Sequence, residues 1–319
     1  MVLEQPRARQ CRHTQSRERP SSNGPSSPLV NALTVDVEDY FHVEAFAGTI
    51  NRDNWDQLPR RVERNTHRLL DLLAEAGVLG TFFVLGWVAR HHPALVRRIV
   101  AEGHEIASHG TAHLRADRQT IAEFRADVQN SKILLEDIGG VGVIGYRAPT
   151  FSVSRRNTWA HEILAETGFR YSSSIYPIVH DLYGQPDAPR FPFRPTPELV
   201  EVPLTTMRIF GRNLPAAGGG YFRLLPYGVS RWLLRGGGRQ SEVPCVFYTH
   251  PWEIDPQQPR QTSAPRLSRF RHYFNLGRTE GRLRRLLHDF AWGRMDNVFL
   301  GSSAVHAPLI ETWSEHHRQ

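Results

Sequence analysis

The sequence predicts an α/β fold with parallel strands on three observations. Short apolar runs alternate with stretches of helical spacing, several runs end in polar residues, and glycines close the helical stretches. Leu29-Val-Asn-Ala-Leu-Thr-Val-Asp36 is an apolar run that breaks into acids, as a buried strand ending at a site does. Val62 to Ala76 carries Val62, Leu69, Leu70, Leu72 and Leu73 at helical spacing and stops at Gly77. Thr81 to Leu85 is a second strand. Pro93 to Glu102 is a helix opened by proline and closed at Gly103, and Glu105 to Ser108 is a brief third strand leading into His109. Helical spacing returns from Arg118 to Ile138, followed by the strand-like Val143 to Tyr146 and a helix from Arg155 to Thr167 closed by Gly168. Beyond Tyr176 the pattern loosens into prolines and glycines, including Gly218-Gly-Gly220 and Gly236-Gly-Gly238. One clear strand follows, Val243 to Tyr248, ending at Thr249-His250. This alternation fits a layered sheet or a barrel, and no internal repeat is visible.

Composition narrows the function classes. The chain of 319 residues carries 39 basic and 32 acidic residues, a formal charge of +7. Lys132 is the only lysine, and the arginines are scattered apart from the N-terminal tail and the run Arg278, Arg282, Arg284, Arg285, which reads as a solvated helix face. A nucleic-acid partner is therefore not expected. No stretch has the apolar length of a bilayer-crossing helix. Residues 1–28 are rich in Arg, Ser, Pro and Gln, which predicts disorder, and they lack the apolar core of a secretory signal, which makes a cytoplasmic protein the expectation. Only Cys11 and Cys245 are present, so no disulfide framework holds the fold.

Four polar groups share a placement just after predicted strands: the Asp36 region, His109, Arg147 and His250. Ligands bind at the carboxyl ends of parallel strands, so this shared placement points to one site. In Asp36-Val-Glu-Asp39 an extended chain turns Asp36 and Glu38 to one face and Asp39 to the other, unless the strand has already ended. Clustered carboxylates raise one another's pKa unless a cation offsets them, although Asp39 could instead cap the following segment. His109 and His113 lie four residues apart. On one helical turn they face the same way and could share a metal; otherwise they are two histidines of a helix start. Arg147, held by Pro149, is placed to orient a carboxylate through two parallel hydrogen bonds, or to pair with a surface acid. His250, flanked by Pro251 and Trp252, is a titratable group on an apolar wall or a satisfied buried histidine.

Taken in order, Thr34-Val-Asp-Val-Glu-Asp39, Ser108-His-Gly-Thr-Ala-His113, Tyr146-Arg-Ala-Pro149 and Tyr248-Thr-His-Pro-Trp252 resemble the motifs of the NodB-homology polysaccharide deacetylases, carbohydrate esterase family 4. The wording of the first and last motifs is closest to a bacterial subgroup associated with exosortase and exopolysaccharide gene clusters. The resemblance covers the chain from about Leu29 onward. It implies a distorted, seven-stranded (β/α) barrel as one catalytic domain over 29–312, with motifs between 32 and 252, an extension over 253–312 and a tail over 313–319.

The activity it implies is removal of N-acetyl groups from a polysaccharide or oligosaccharide with a divalent metal, zinc by expectation. Carried over by position, Asp36 is the base, His109 and His113 are metal ligands, Arg147 positions Asp36, and His250 is the acid. Tyr146, Pro149 and Trp252 are substrate contacts, with Trp252 walling the acetyl methyl; Trp87, Tyr176 and Tyr221 are candidates to stack on sugars. The chain departs from the family pattern twice. Val37 occupies the place of the third ligand, so Glu38 or Asp39 takes over. Ser172 occupies the place of an aspartate that orients the acid histidine, so Asp181, Glu253 or Asp255 substitutes or the acid is weakened. A non-catalytic glycan-binding protein and a small-amide hydrolase with a closed pocket are the competing readings.

Overall fold

The computed structural model describes residues 29–302. The expected tails over 1–28 and 313–319, and the end of the expected domain, lie outside that range. β1 (Asn31–Val37) is buried at every position. It is followed by α1 (Val62–Ala76), β2 (Thr81–Val84), α2 (Gly86–His91), α3 (Pro93–Ala101), β3 (Glu105–Ser108), α4 (Ile121–Gly139), β4 (Gly145–Tyr146), α5 (Trp159–Glu166), β5 (Tyr171–Ser172) and β6 (Val200–Glu201). These six strands pair in sequence order and in parallel, and β9 (Val246–Thr249) lies parallel to β1. The two-residue β10 (Trp292–Gly293) adds an eighth strand at the start of β1. The expected seven-stranded barrel is thus a curled parallel half-barrel with one short extra strand.

Alternation along the strands sets the two faces. Leu33, Val35 and Val37 pack outward with Phe82, Val84, Ile106 and Phe247 against the helices, including Leu69, Leu70, Leu95 and Phe124. Ala32, Phe83, Ala107, Tyr171 and Tyr248 fill the inside. Asp36 follows Ala32 and Thr34 at spacing two and therefore belongs to the inner face.

The helix boundaries follow local chemistry. α1 ends at Gly77 with φ 65°, as expected from sequence. α4 starts at Ile121 rather than Arg118, because Thr120 accepts from the Glu123 amide while Glu123 reaches back, a reciprocal cap.

Between β6 and β9 the wall is irregular. Ala216 N–H donates to Thr205 O (3.1 Å) and Tyr248 N–H to Ala217 O (2.7 Å). Gly218 sits at φ 115°, and a Cβ there would lie 2.2 Å from Tyr248 O, so a glycine is required. Outside this wall stands a hairpin of β7 (Thr206–Ile209) and β8 (Arg212–Pro215). α6 (Gly219–Leu224) and α7 (Tyr227–Ser241) follow. α7 runs straight through Gly236-Gly-Gly238, which sequence alone reads as a break. It lies directly on β7, where a Cβ at Gly236 would meet Met207 S at 2.5 Å, and that contact outweighs the low helix propensity of glycine.

α8 (Arg266–Tyr273), α9 (Leu276–Asp289) and α10 (Met295–Leu300) complete the chain. Part of the basic run on α9 is structural. Arg282 donates to the carbonyls of Phe222, Arg223 and Leu225, and Arg284 pairs with Glu75. No helix among the described residues is long and apolar enough to cross a membrane.

Candidate active site

The carboxyl ends of β1, β3, β4 and β9 meet at a pocket of about 310 Å³. Asp36, 2% exposed, accepts from Arg147 Nη1 at 2.6 Å. The expected pair of parallel bonds between them is a single one, because the rest of the guanidinium is spent elsewhere. Nη1 also donates to Thr34 Oγ1 (2.8 Å), Nε to Ser173 O (3.1 Å) and Nη2 to Ser173 Oγ (3.1 Å). Ser172 donates to Ser174, whose hydroxyl accepts from the Ala148 amide. The serine run therefore cradles Arg147 and its neighbour.

β1 ends at Val37, and the Glu38 amide folds back onto Asp36 O at 3.0 Å. Glu38 Oε1 lies 3.0 Å from His109 Nε2, 3.2 Å from His113 Nε2 and 3.9 Å from His250 Nε2. Burial alone would raise the Glu38 carboxyl. The charge of His113 and hydrogen bonds from His109 and His113 hold it well below its ordinary range instead. His109 Nδ1 lies 2.8 Å from Arg147 O. A carbonyl can only accept, so Nδ1 donates there and fixes the ring with Nε2 aimed at the Glu38 carboxylate. The same two ring nitrogens and the carboxylate oxygen lie close enough together to hold a cation in place of those shared protons, and Glu38, His109 and His113 form such a group.

Two expectations change here. The histidine pair does not lie on a helical turn: residues 109–115 are a loop, His113 has φ 51°, and the loop is tied to α4 by Asp127, which accepts from the Thr111 amide at 3.0 Å. Asp39, expected as an alternative ligand, is held away from the imidazoles. Its carboxylate accepts from the amides of Tyr40 (2.9 Å), Arg61 (2.6 Å) and Val62 (2.8 Å), capping the start of α1. Burial raises it to about 6 against those bonds.

His250 Nδ1 lies 2.7 Å from Glu253 Oε1, and Glu253 Oε2 accepts from Arg223 Nε at 2.7 Å. Burial opposes the imidazolium, but the bond to Glu253 and the charges of Glu38, Glu253 and Asp36 outweigh it and raise His250 to about 9. Of the three acids expected to replace the one missing at Ser172, Glu253 is beside the imidazole. Asp255 is paired with Arg61, and Asp181 with Arg271. The Pro251–Ile254 turn brings Glu253 back to His250; the i,i+3 spacing is in the sequence, but the turn is not.

Trp252 lines the pocket, its ring stacked between His250 (5.1 Å) and His272 (4.2 Å). Tyr146 does not reach the pocket, since β4 turns it outward onto Phe124 and Phe169. Pro149 is buried and shapes the turn, while Ala148 and Thr150 line the pocket. Of the three candidate stacking rings, Tyr221 lines the pocket. Tyr176 is fully buried, and Trp87 packs with Phe41, His42 and Trp55.

Residues 54–172 match the family model described as polysaccharide deacetylase, and residues 173–300 match a domain of unknown function, DUF3473. The chain is 54% identical over 48 residues to a chitooligosaccharide deacetylase of Rhizobium leguminosarum bv. trifolii, covering 15% of this chain and 22% of that protein. It is 26% identical over 140 residues to a peptidoglycan deacetylase of Helicobacter pylori, covering 42% of this chain and 47% of that one. The chain spans only 22% to 33% of the length of the first curated relatives. Among solved structures, a Mycobacterium smegmatis protein assigned to the polysaccharide deacetylases shares the fold at a TM-score of 0.52 and 20% identity, covering 85% of this chain and 91% of that one. A peptidoglycan N-acetylglucosamine deacetylase matches at 0.50 and 15% identity, covering 88% and 93%. With the four motifs gathered at one pocket on this sheet, the chain carries, over residues 54–172, a domain that matches the polysaccharide deacetylases, on the fold those solved structures share.

Proposed function

We propose that the protein removes N-acetyl groups from a polysaccharide or oligosaccharide, an exopolysaccharide or its precursor, releasing acetate and leaving a free amine. The observation that carries this reading is the convergence of Asp36, Glu38, His109, His113 and His250 on one pocket. Glu38, His109 and His113 would hold a divalent cation. Zinc suits two imidazoles and one carboxylate, and when bound it lowers the pKa of water and polarises the acetyl carbonyl. Asp36 takes the proton of the attacking water; Arg147 and the serine cradle fix its carboxylate in place. His250 gives its proton to the leaving amine, with Glu253 holding the imidazole in the orientation and charge state that task needs. Trp252 walls the methyl of the acetyl group.

A non-catalytic glycan-binding reading rests on the missing aspartate at Ser172, and a Glu253 carboxylate 2.7 Å from His250 favours catalysis instead. The pocket volume of about 310 Å³ suits a compact unit such as one acetylated sugar of a chain.

The test is metal stoichiometry together with acetate release from acetylated oligosaccharides. One tight zinc ion per native chain, lost in a His109→Ala/His113→Ala variant, is expected. Asp36→Asn is expected to keep the ion and lose turnover. A native chain with no tight ion sinks the metal assignment, and turnover retained in Asp36→Asn sinks the base.

A further inference from the structure

The β7–β8 hairpin ends in Ile209-Phe210-Gly211-Arg212, and Phe210 at its tip has a relative exposure of 102%. Its φ is 47°, a left-handed conformation that disfavours a bulky residue. The position thus combines two features that folding alone selects against, an aromatic ring in water and a strained backbone.

The ring is not isolated. A hollow beside the hairpin is lined by Val179 and Phe191, 81% and 40% exposed, together with Arg190, Arg208 and Arg212. Among the described residues none of these three arginines has a carboxylate partner; Arg190 donates to Thr206 and Gln240. The acid in the hollow, Asp187, is paired with Arg155. The tip is also held firmly. Gln240 of α7 accepts from the Arg208 amide at 2.8 Å and donates to its carbonyl at 3.0 Å. A rigid tip loses little conformational entropy when the ring is buried by a partner.

We propose that this hairpin and hollow dock the protein on an anionic phospholipid surface, with Phe210 entering the headgroup–acyl boundary and Arg190, Arg208 and Arg212 binding lipid phosphates. Guanidinium forks suit phosphate oxygens, and an exposed ring flanked by cations suits a charged, partly apolar interface. A soluble polyanion would use the arginines and leave the ring in water, so the ring separates the two partners. The loop that carries Val179 continues into His180, Leu182 and Tyr183, which line the catalytic pocket. Docking at the hairpin therefore brings the pocket close to the lipid surface. The proposal does not depend on the deacetylase reading.

The experiment uses the full chain with vesicles of phosphatidylcholine alone or mixed with phosphatidylglycerol. Sedimentation is expected to show binding to the mixed vesicles only, weakened by salt. Arg208→Gln and Arg212→Gln are each expected to weaken it about fivefold, the equivalent of about 1 kcal/mol per basic residue near such a surface. Phe210→Ser is expected to weaken it as well, with an unchanged melting temperature because the side chain supports no packing. Phe210→Trp gives the direct readout: emission beyond that of the native tryptophans, shifted to the blue and quenched by brominated acyl chains. Equal sedimentation of native and variant chains, or none by the native chain, overturns the proposal. So does tight dextran sulfate binding when brominated lipid leaves the added emission of the Phe210→Trp variant unquenched.

Discussion

The His250–Glu253–Arg223 chain sets a buried carboxylate against the imidazole, although Ser172 stands where the motif resemblance leads one to expect an aspartate. Glu253 is 1% exposed and has both oxygens engaged, one by the imidazole and one by a guanidinium that is itself 2% exposed. A buried carboxylate in that place favours the charged imidazole, and in the proposed mechanism His250 can give up a proton only while it is charged. Glu253→Gln keeps the shape and removes the charge. The support that raises His250 weakens, so its proton is lost at lower pH. The variant is expected to lose about 10²-fold in kcat, within the range a positioned acid contributes, with KM and zinc stoichiometry little changed. The basic limb of its kcat profile is expected to move toward lower pH. Profiles of native and variant that superimpose would remove Glu253 from the mechanism. Arg147 gives a contrasting case. Its place after a strand marks it as a positioned guanidinium and the motif resemblance names Asp36 as its partner, whereas the serine run that positions it reads in sequence only as a serine where an aspartate is expected.

At the scale of elements, the end of β1 decides which acid does what. In the sequence, strand alternation sets Glu38 beside Asp36 only if the strand continues, which leaves Glu38 and Asp39 both open as ligands; β1 ends at Val37, and the fold-back of the Glu38 amide onto Asp36 O sets the placement. That Asp39 caps α1 is not readable, because the helix it caps begins 23 residues after it. Asp39→Ala is expected to leave zinc stoichiometry and acetate release intact and to lower stability by about 1–2 kcal/mol, the usual loss with a helix cap. Glu38→Gln is expected to do the reverse, losing the ion with little loss of stability. Thermal melts and metal analysis on the two variants check both, and zinc lost from Asp39→Ala would return Asp39 to the ligand set. The same contrast explains which elements sequence reveals. α1, with its helical spacing, and β3, a brief run leading into His109, match their expected bounds. β4, β5 and β6 have two residues each, too few for any period, and are held by neighbours rather than by their own pattern. Tyr146 illustrates the limit: it belongs to a recognised motif, yet the pleat turns it away from the pocket that its neighbour Arg147 serves.

Across the whole molecule, the site is assembled from three stretches. Asp36 and Glu38 precede the range of the polysaccharide deacetylase match, the histidine pair and Arg147 lie within it, and His250 and Glu253 come from the region of unknown function. β9, from that last region, pairs with β1 over four residues, so the strand bearing Asp36 is braced by it. Stability at this scale has a pH signature that can be isolated at a position far from the site. His104 is 6% exposed, accepts from the Gly80 amide at 3.1 Å and packs edge-on against Phe82. Burial, helped by Arg294 and Arg98 against an opposing Glu102, lowers it to about 4 from 6.5. A histidine lowered in the folded state binds fewer protons there than in the unfolded chain, so its contribution is complete above pH 6.5 and is lost as pH falls toward 4. Linkage makes that loss about 2 kcal/mol between pH 7.5 and pH 5. Asp39, raised to about 6, and Glu105, raised to about 7, act in the opposite sense and lose stability as pH rises, so the native profile alone mixes these contributions. His104→Asn keeps an acceptor for Gly80 and removes the titration. The native advantage over this variant, measured by denaturant unfolding, is expected to shrink by about 2 kcal/mol from pH 7.5 to pH 5. A constant difference across that interval would mean that His104 takes up its proton as readily in the folded protein as in the unfolded chain. The buried link between α3 and β3 would then hold an imidazolium beside the guanidiniums of Arg98 and Arg294, whose carboxylate partners Asp71, Glu102 and Asp296 are already engaged by them.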